Sequence, residues 1–246
     1  MSAVDPLGML MPQDVARPLR PCLFIDKDGT LIENVPYNVD PALLRFMPGA
    51  GAALARLQRA GLALVIVTNQ SGIARGLFTR EQFDALQHAL LQRLQQEFGV
   101  TIDGVEMCPH GPDDDGHPTC LCRKPAPGML IRAAHTHGLN LARSWIVGDT
   151  LDDVEAGHRA GSGGFLFHSG GETVWRRSPL REPDAGFDDW AALADHVERL
   201  IAVNAEDAAT PGHATGWPHE AAVAAAGDAR CRATGTAPSS ASRLAS

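Results

Sequence analysis

From Cys22 onward, short apolar runs alternate with stretches whose apolar positions recur at helical spacing. Cys22–Lys27 (CLFIDK) reads as a buried strand and Leu62–Thr68 (LALVIVT) as a second, with shorter ones at Val105–Met107, Trp145–Val147 and Gly164–Phe167. Gly49–Ala60, Gly128–His137 and Asp152–Ala160 read as the helices between them. Thr79–Phe98 carries Phe83, Leu86, Leu90, Leu91 and Leu94 at helical spacing, with Thr79 placed as an N-cap. Strands that are apolar throughout are buried on both faces, and their alternation with helices predicts a parallel sheet. The expected fold is α/β, a Rossmann-like doubly wound parallel sheet, without an internal repeat.

Composition sets the limits of this domain. Residues 1–20 read as a flexible lead-in and 21–203 as one folded domain. After Val203, Ala, Gly, Thr, Ser and Pro dominate, and residues 204–246 are expected to be a disordered tail, because too little apolar surface is available to offset ordering. The formal charge of −8 argues against nucleic acid as a partner, since phosphate backbones are gripped by clustered Lys and Arg. No apolar run approaches the roughly 20 residues of a membrane helix, and the start lacks a signal-peptide pattern. The expectation is a soluble cytoplasmic monomer. Lysine occurs only at Lys27 and Lys124, each inside a candidate site motif, while the remaining basic residues are arginine.

Ligands of open parallel sheets bind beyond the carboxyl ends of the strands. There the chain places Asp26-Lys27-Asp28-Gly29-Thr30, then Thr68-Asn69-Gln70-Ser71-Gly72, then Arg123-Lys124-Pro125 before a helix, then Gly148-Asp149-Thr150-Leu151-Asp152-Asp153. Asp-Gly alone is a common turn signal. Acids, a hydroxyl, a lysine and further acids at four successive ends are a division of labour that chance turns do not readily give.

These four segments resemble the motifs of the haloacid dehalogenase superfamily, and the likeness runs from about residue 22 to 175. TNQSGIARG (Thr68–Gly76) and CRKPAPGM (Cys122–Met129) resemble its branch of small phosphatases acting on heptose bisphosphates or on histidinol phosphate. The resemblance implies a magnesium-dependent phosphomonoesterase in which Asp26 attacks phosphorus to form an aspartyl-phosphate. It implies Mg²⁺ on Asp26, the backbone carbonyl of Asp28, and Asp149. Asp28 is then the general acid and base, and Thr68 and Lys124 hold the phosphate oxygens. Asp153 is expected to brace Asp149 or Lys124, and Asp152 to be an exposed helix-start acid. Thr150 stands where the resemblance leads one to expect Lys.

Of the five cysteines, Cys22 falls in the first strand and Cys231 in the tail. The others give Cys108-Pro109-His110 and, nine residues on, Cys120-Leu121-Cys122. Residues two apart in extended chain point the same way, so each pair can present two ligands, and three thiolates with one imidazole make a closed tetrahedral zinc site. A disulfide is disfavoured in a cytoplasmic chain; His117 is the rival to His110. The resemblance favours a structural Zn²⁺ on Cys108, His110, Cys120 and Cys122.

No insertion of cap-domain size separates the motifs, which predicts an open site. By resemblance, Asn34 to Tyr37 is the substrate loop, and Asn69, Gln70, Ser71 and Arg123 are further candidate substrate contacts, Arg123 for a second anionic group. The leading expectation is removal of the 7-phosphate of a heptose 1,7-bisphosphate, with histidinol phosphate as the alternative substrate. A phosphate-sensing module with dead chemistry and a zinc-organised interaction protein are the non-enzymatic readings.

Overall fold

A computed structural model describes residues 19–209 apart from Gly116. Six strands form one sheet in the order β3-β2-β1-β4-β5-β6, and every pairing is parallel. They are β1 (Cys22–Ile25), β2 (Ala63–Asn69), β3 (Gly104–Cys108), β4 (Trp145–Gly148), β5 (Gly163–Phe167) and β6 (Ala185–Phe187). All of β1 and β4 is buried, as is β2 up to Thr68, which accounts for their uninterrupted apolar sequence. Among the described residues the α-helices are α1 (Ala50–Arg59), α2 (Arg80–Phe98), α3 (Gly128–His137), α4 (Leu151–Ala160) and α5 (Trp190–Ala209).

Helix boundaries follow local chemistry. Thr79 closes a capping box on α2: its hydroxyl accepts from the Gln82 amide at 3.2 Å, and the Gln82 side chain accepts from the Thr79 amide at 2.8 Å. The helix ends at Gly99 in the left-handed conformation. Thr150 and Asp153 form the same reciprocal cap on α4.

The region after β5 completes the sheet in a way the hydrophobic pattern did not disclose. β6 extends the edge, and α5 packs back with Trp190 fully buried, its indole N–H donating to the Thr30 carbonyl at 3.0 Å. Arg56 on α1 pairs with Asp195 at 2.6 Å and Glu198 at 2.8 Å on α5. Of the described residues, those up to Asn204 belong to one compact unit and the helical residues 205–209 to a second. The expected lead-in and tail otherwise lie outside the described residues, as does Cys231. Arg20, placed in the lead-in by sequence, is tied to the fold through Gly138, Asn140 and Asp103. Among the described residues no helix is long and apolar enough to cross a membrane.

Candidate active site

The chain leaves β1 at Asp26, β2 at Asn69 and β4 at Gly148, so the polar segments that follow emerge side by side at one edge of the sheet. Asp26, Asp28, Asn34, Thr68, Asn69, Arg123, Lys124 and Asp149 line a common cavity of about 250 Å³. Tyr37, Gln70 and Ser71 line a neighbouring cavity of about 280 Å³, which shares Asp28, Asn34 and Asn69 with the first. The candidate substrate contacts are therefore divided between two adjoining spaces.

Lys124 is at the centre of the first. Its ammonium donates to Asp26 Oδ1 at 2.5 Å and to the Val67 carbonyl at 2.9 Å, and lies 2.5 Å from Asp153 Oδ1. Burial opposes its charge, but the Asp153 and Asp26 carboxylates outweigh burial and hold the ammonium protonated. Asp26, Asp149 and Asp153 bring carboxylate oxygens within 4.8 Å of one another. Burial first, then the neighbouring acids, push the Asp26 carboxyl up against the pull of Lys124. Burial and the Asp153 charge raise Asp149 to about 6. Three acids facing one lysine are short of positive charge, and an all-oxygen donor set of this kind suits a hard divalent cation.

The positions of the acids separate their roles. Asp153 has both oxygens engaged, one on Lys124 and the other accepting from the Thr150 hydroxyl at 2.7 Å. That makes it a brace for the lysine. Asp28 lines the same cavity, its carboxylate 2.9 Å from the Lys27 ammonium and accepting from Gln70 Nε2 at 2.8 Å. Gln70 donates from the same nitrogen to Thr68 Oγ1 at 2.8 Å. Asn69 grips the Lys124 backbone, accepting from its N–H at 3.1 Å and donating to its carbonyl at 3.2 Å. Asn69 and Gln70 thus hold other site residues in place.

Cys108, His110, Cys120 and Cys122 converge at the end of β3. Sγ of Cys108 lies 3.6 Å from Cys120 and 3.2 Å from Cys122, and Cys120 lies 3.2 Å from Cys122. His110 Nδ1 is 3.5 Å from Cys108 Sγ and 3.3 Å from Cys122 Sγ. A disulfide needs about 2.05 Å, and the thiols are free. The rival His117 is exposed and lies 3.7 Å from Asp113 instead. The cluster is joined to the cavity through Arg123, by two hydrogen bonds: its amide donates to Cys120 Sγ at 3.3 Å, and its guanidinium donates to the His110 carbonyl at 3.2 Å.

Residues 121–193 match a family model described as HAD-hydrolase-like. A D-glycero-beta-D-manno-heptose-1,7-bisphosphate 7-phosphatase from Rhodopseudomonas palustris is 40% identical over 168 residues, 67% of this chain and 93% of the relative. The chain belongs to this phosphatase family. The member from Pseudomonas aeruginosa is 37% identical over 176 residues, 71% of this chain and 96% of its own length. A crystal structure of the B. bronchiseptica D,D-heptose 1,7-bisphosphate phosphatase, complexed with magnesium and phosphate, aligns with a TM-score of 0.64 and 35% identity. It covers 73% of this chain and 98% of its own.

Several contacts around the site of this heptose-bisphosphate phosphatase family member were not evident in sequence. Gly29 and Gly171 enclose the Asp149 carboxylate: a Cβ on either would fall 2.0 Å and 1.9 Å, respectively, from Asp149 Oδ2. The Ser169 hydroxyl donates to the same oxygen at 3.3 Å. Asp152, expected as an exposed helix-start acid, lies in the first turn of α4 with its side chain 42% exposed, and also pairs with Arg181 at 2.8 Å. Arg75, within the TNQSGIARG motif, donates to the Tyr37 hydroxyl at 2.9 Å and places its guanidinium 5.9 Å from the ring centroid. Tyr37 adopts a positive φ of 55°, which marks a constrained loop. Side-chain spacing along the chain carries none of these signals.

Proposed function

We propose that the chain hydrolyses the 7-phosphate of D-glycero-D-manno-heptose 1,7-bisphosphate by way of an aspartyl-phosphate on Asp26. The observation that carries this reading is the meeting of Asp26, Asp149 and Lys124 in one cavity, with the Lys124 ammonium 2.5 Å from Asp26 Oδ1. The relatives, heptose-1,7-bisphosphate 7-phosphatases, favour a sugar bisphosphate over histidinol phosphate.

In this mechanism an Asp26 carboxylate oxygen attacks phosphorus as the sugar oxygen departs with its bonding electrons. Asp28 protonates that leaving oxygen, then takes a proton from the water that hydrolyses the acyl-phosphate. Gln70 and Lys27 aim the Asp28 carboxylate. The Thr68 hydroxyl and the Lys124 ammonium donate to the oxygens of the phosphoryl group in transfer, where charge is spread. Asp153 fixes Lys124 from behind. Mg²⁺ on the Asp26 and Asp149 carboxylates and the Asp28 backbone carbonyl would offset the repulsion between Asp26 and the phosphate, and the shortage of positive charge among these acids fits it. Arg123 and Asn34, on the cavity wall, contact the sugar phosphate.

Zn²⁺ is the proposed occupant of Cys108, His110, Cys120 and Cys122. Zinc–sulfur bonds of about 2.3 Å in a tetrahedron place sulfurs about 3.7 Å apart, and the thiols here lie 3.2 to 3.6 Å apart. With all four positions filled by protein the role is structural: it sets the path of Arg123 and Lys124.

The test is phosphate release from heptose 1,7-bisphosphate and from histidinol phosphate, each with Mg²⁺ and with chelator. A large preference for the bisphosphate that depends on Mg²⁺ is expected. A preference for histidinol phosphate overturns the substrate assignment.

A further inference from the structure

After β5 the chain runs from Ser169 to Asp184 as a strap along α4 before it enters β6. Three turns of the helix hold it. At the first, the Glu172 carboxylate accepts from the Leu151 amide at 2.8 Å. At the second, Arg181 pairs with Glu155 at 2.7 Å, and it also reaches Asp152 at 2.8 Å. At the third, His158 Nδ1 lies 2.9 Å from the Leu180 carbonyl oxygen, and its Nε2 lies 3.1 Å from Asp184 Oδ2. Leu151, Glu155 and His158 are spaced to share one face of the helix. The other end of the strap encloses Asp149, through Ser169 and Gly171.

The third attachment differs from the other two in its protons. Both partners of the His158 ring are acceptors, and a neutral imidazole carries one N–H, so only the imidazolium satisfies both. Asp184 is itself held in place: its Oδ2 accepts from the Gly164 amide at 2.8 Å, and its own amide donates to the Gly164 carbonyl at 2.9 Å. The hydrogen bond to Asp184, against partial burial of the ring, raises the affinity of His158 for its proton. The surrounding charges are engaged elsewhere. Arg181 on the strap and Arg159 on α4 both turn to Glu155, and Glu182 is exposed. The strands β4 and β5 bring no titratable side chain against α4. On α3, Arg132 pairs with Glu106, His135 is exposed, and His137 lies beside Gly104 of β3.

We infer that His158 is a proton-controlled clasp: as an imidazolium it fastens the Leu180–Asp184 end of the strap to α4, and on losing its proton it keeps one partner and releases the other. The direction follows from the two acceptors. An unfolded His binds its proton at about 6.5, and the folded ring keeps it to higher pH. The stability that the clasp contributes is therefore complete below about 6.5 and is lost as pH rises through the folded value. None of this depends on which phosphate ester the chain hydrolyses.

The experiment follows the full-length wild-type chain and His158→Gln by heteronuclear NMR from about pH 5.5 to about pH 9, a range that spans the titration of His. In the wild type the His158 ring titrates above about 6.5. Hydrogen exchange is read at the Arg181 and Asp184 amides, which donate to the Ser178 and Gly164 carbonyls. Their protection factors fall about 3- to 10-fold relative to the β1 amides across that titration, the loss of one hydrogen bond and a half-exposed ion pair. In His158→Gln the same amides are less protected already at the acid end, and they fall no further. A wild-type ring that titrates at or below about 6.5 overturns the clasp, and that result needs no variant. Wild-type amides that keep their protection through the titration, or that lose it to the same extent as in His158→Gln, overturn it too.

Discussion

Replacing Gly171 by Ala isolates the positioning of Asp149. The added methyl would sit 1.9 Å from Asp149 Oδ2 and 2.5 Å from its Cγ. Non-bonded carbon and oxygen keep at least roughly 3.3 Å, so the carboxylate must retreat by more than about 1 Å if the backbone holds. The other side offers no room, because Gly29 packs there so closely that its own Cβ would fall 2.0 Å from the same oxygen. A shift of about 1 Å in a reacting constellation costs about 100-fold in rate, or about 2.7 kcal/mol. The expected G171A enzyme has kcat down by about that factor and a raised Mg²⁺ half-saturation, both read by phosphate release over a metal titration. Gly170→Ala is the companion: nothing lies within 4 Å of its Cβ, but its φ is +87°. It should lose about 1 kcal/mol of stability to backbone strain while keeping the wild-type metal curve. A G171A enzyme with unchanged kcat and unchanged Mg²⁺ half-saturation would refute the reasoning, for the segment around Gly171 would then be yielding instead of Asp149.

Four further outcomes are expected. Asp26→Asn abolishes turnover with the circular dichroism spectrum intact; near-wild-type activity would remove Asp26 as the nucleophile. Cys122→Ser loses bound zinc by elemental analysis and raises KM about 10-fold through the Arg123–Lys124 segment, and a purified wild-type protein free of stoichiometric zinc contradicts the site. Thr79→Ala breaks the α2 capping box, costs about 1 kcal/mol and lowers Tm by about 2 to 4 °C in a thermal melt, with kcat unchanged. Because the Asp149 carboxyl is raised to about 6, it takes up a proton as pH falls through that value, and Mg²⁺ half-saturation measured by titration should climb there. In the metal-free protein the sign for stability is opposite. The folded carboxyl binds its proton before an unfolded Asp does at about 3.9, so this group's contribution to stability grows as pH drops across that window.

The parts of the molecule legible in sequence are those set by local pattern. β1, β2 and β4 announce themselves as apolar runs because both faces of the sheet are covered, and Thr79 marks the start of α2 through its own side chain. Asp26, Thr68, Lys124 and Asp149 could be found because strand ends in a parallel sheet converge by topology. β6 and α5 escaped because three residues containing a glycine carry no period, and the helix that covers them was masked by its Ala-rich composition. The service given by Asn69 to the Lys124 backbone, and the closeness of Gly171 to Asp149, depend on contacts between segments distant in the chain. Asn69 and Gln70, offered as candidate substrate contacts, line the cavities, and their hydrogen bonds to the lysine backbone, Asp28 and Thr68 are contacts that sequence does not disclose.

The strand order has a consequence for assembly of the molecule. Asp26 follows β1 and Asp149 follows β4, strands that are neighbours in the sheet yet far apart along the chain. Neither half of the sheet alone carries both carboxylates, so a cation shared between them can bind only after the halves have joined. Such a cation acts as a clasp whose affinity adds to the folding free energy, about 2.7 kcal/mol at a concentration 100 times its Kd. Thermal denaturation against Mg²⁺ concentration would therefore report on the integrity of the catalytic centre without any substrate at all.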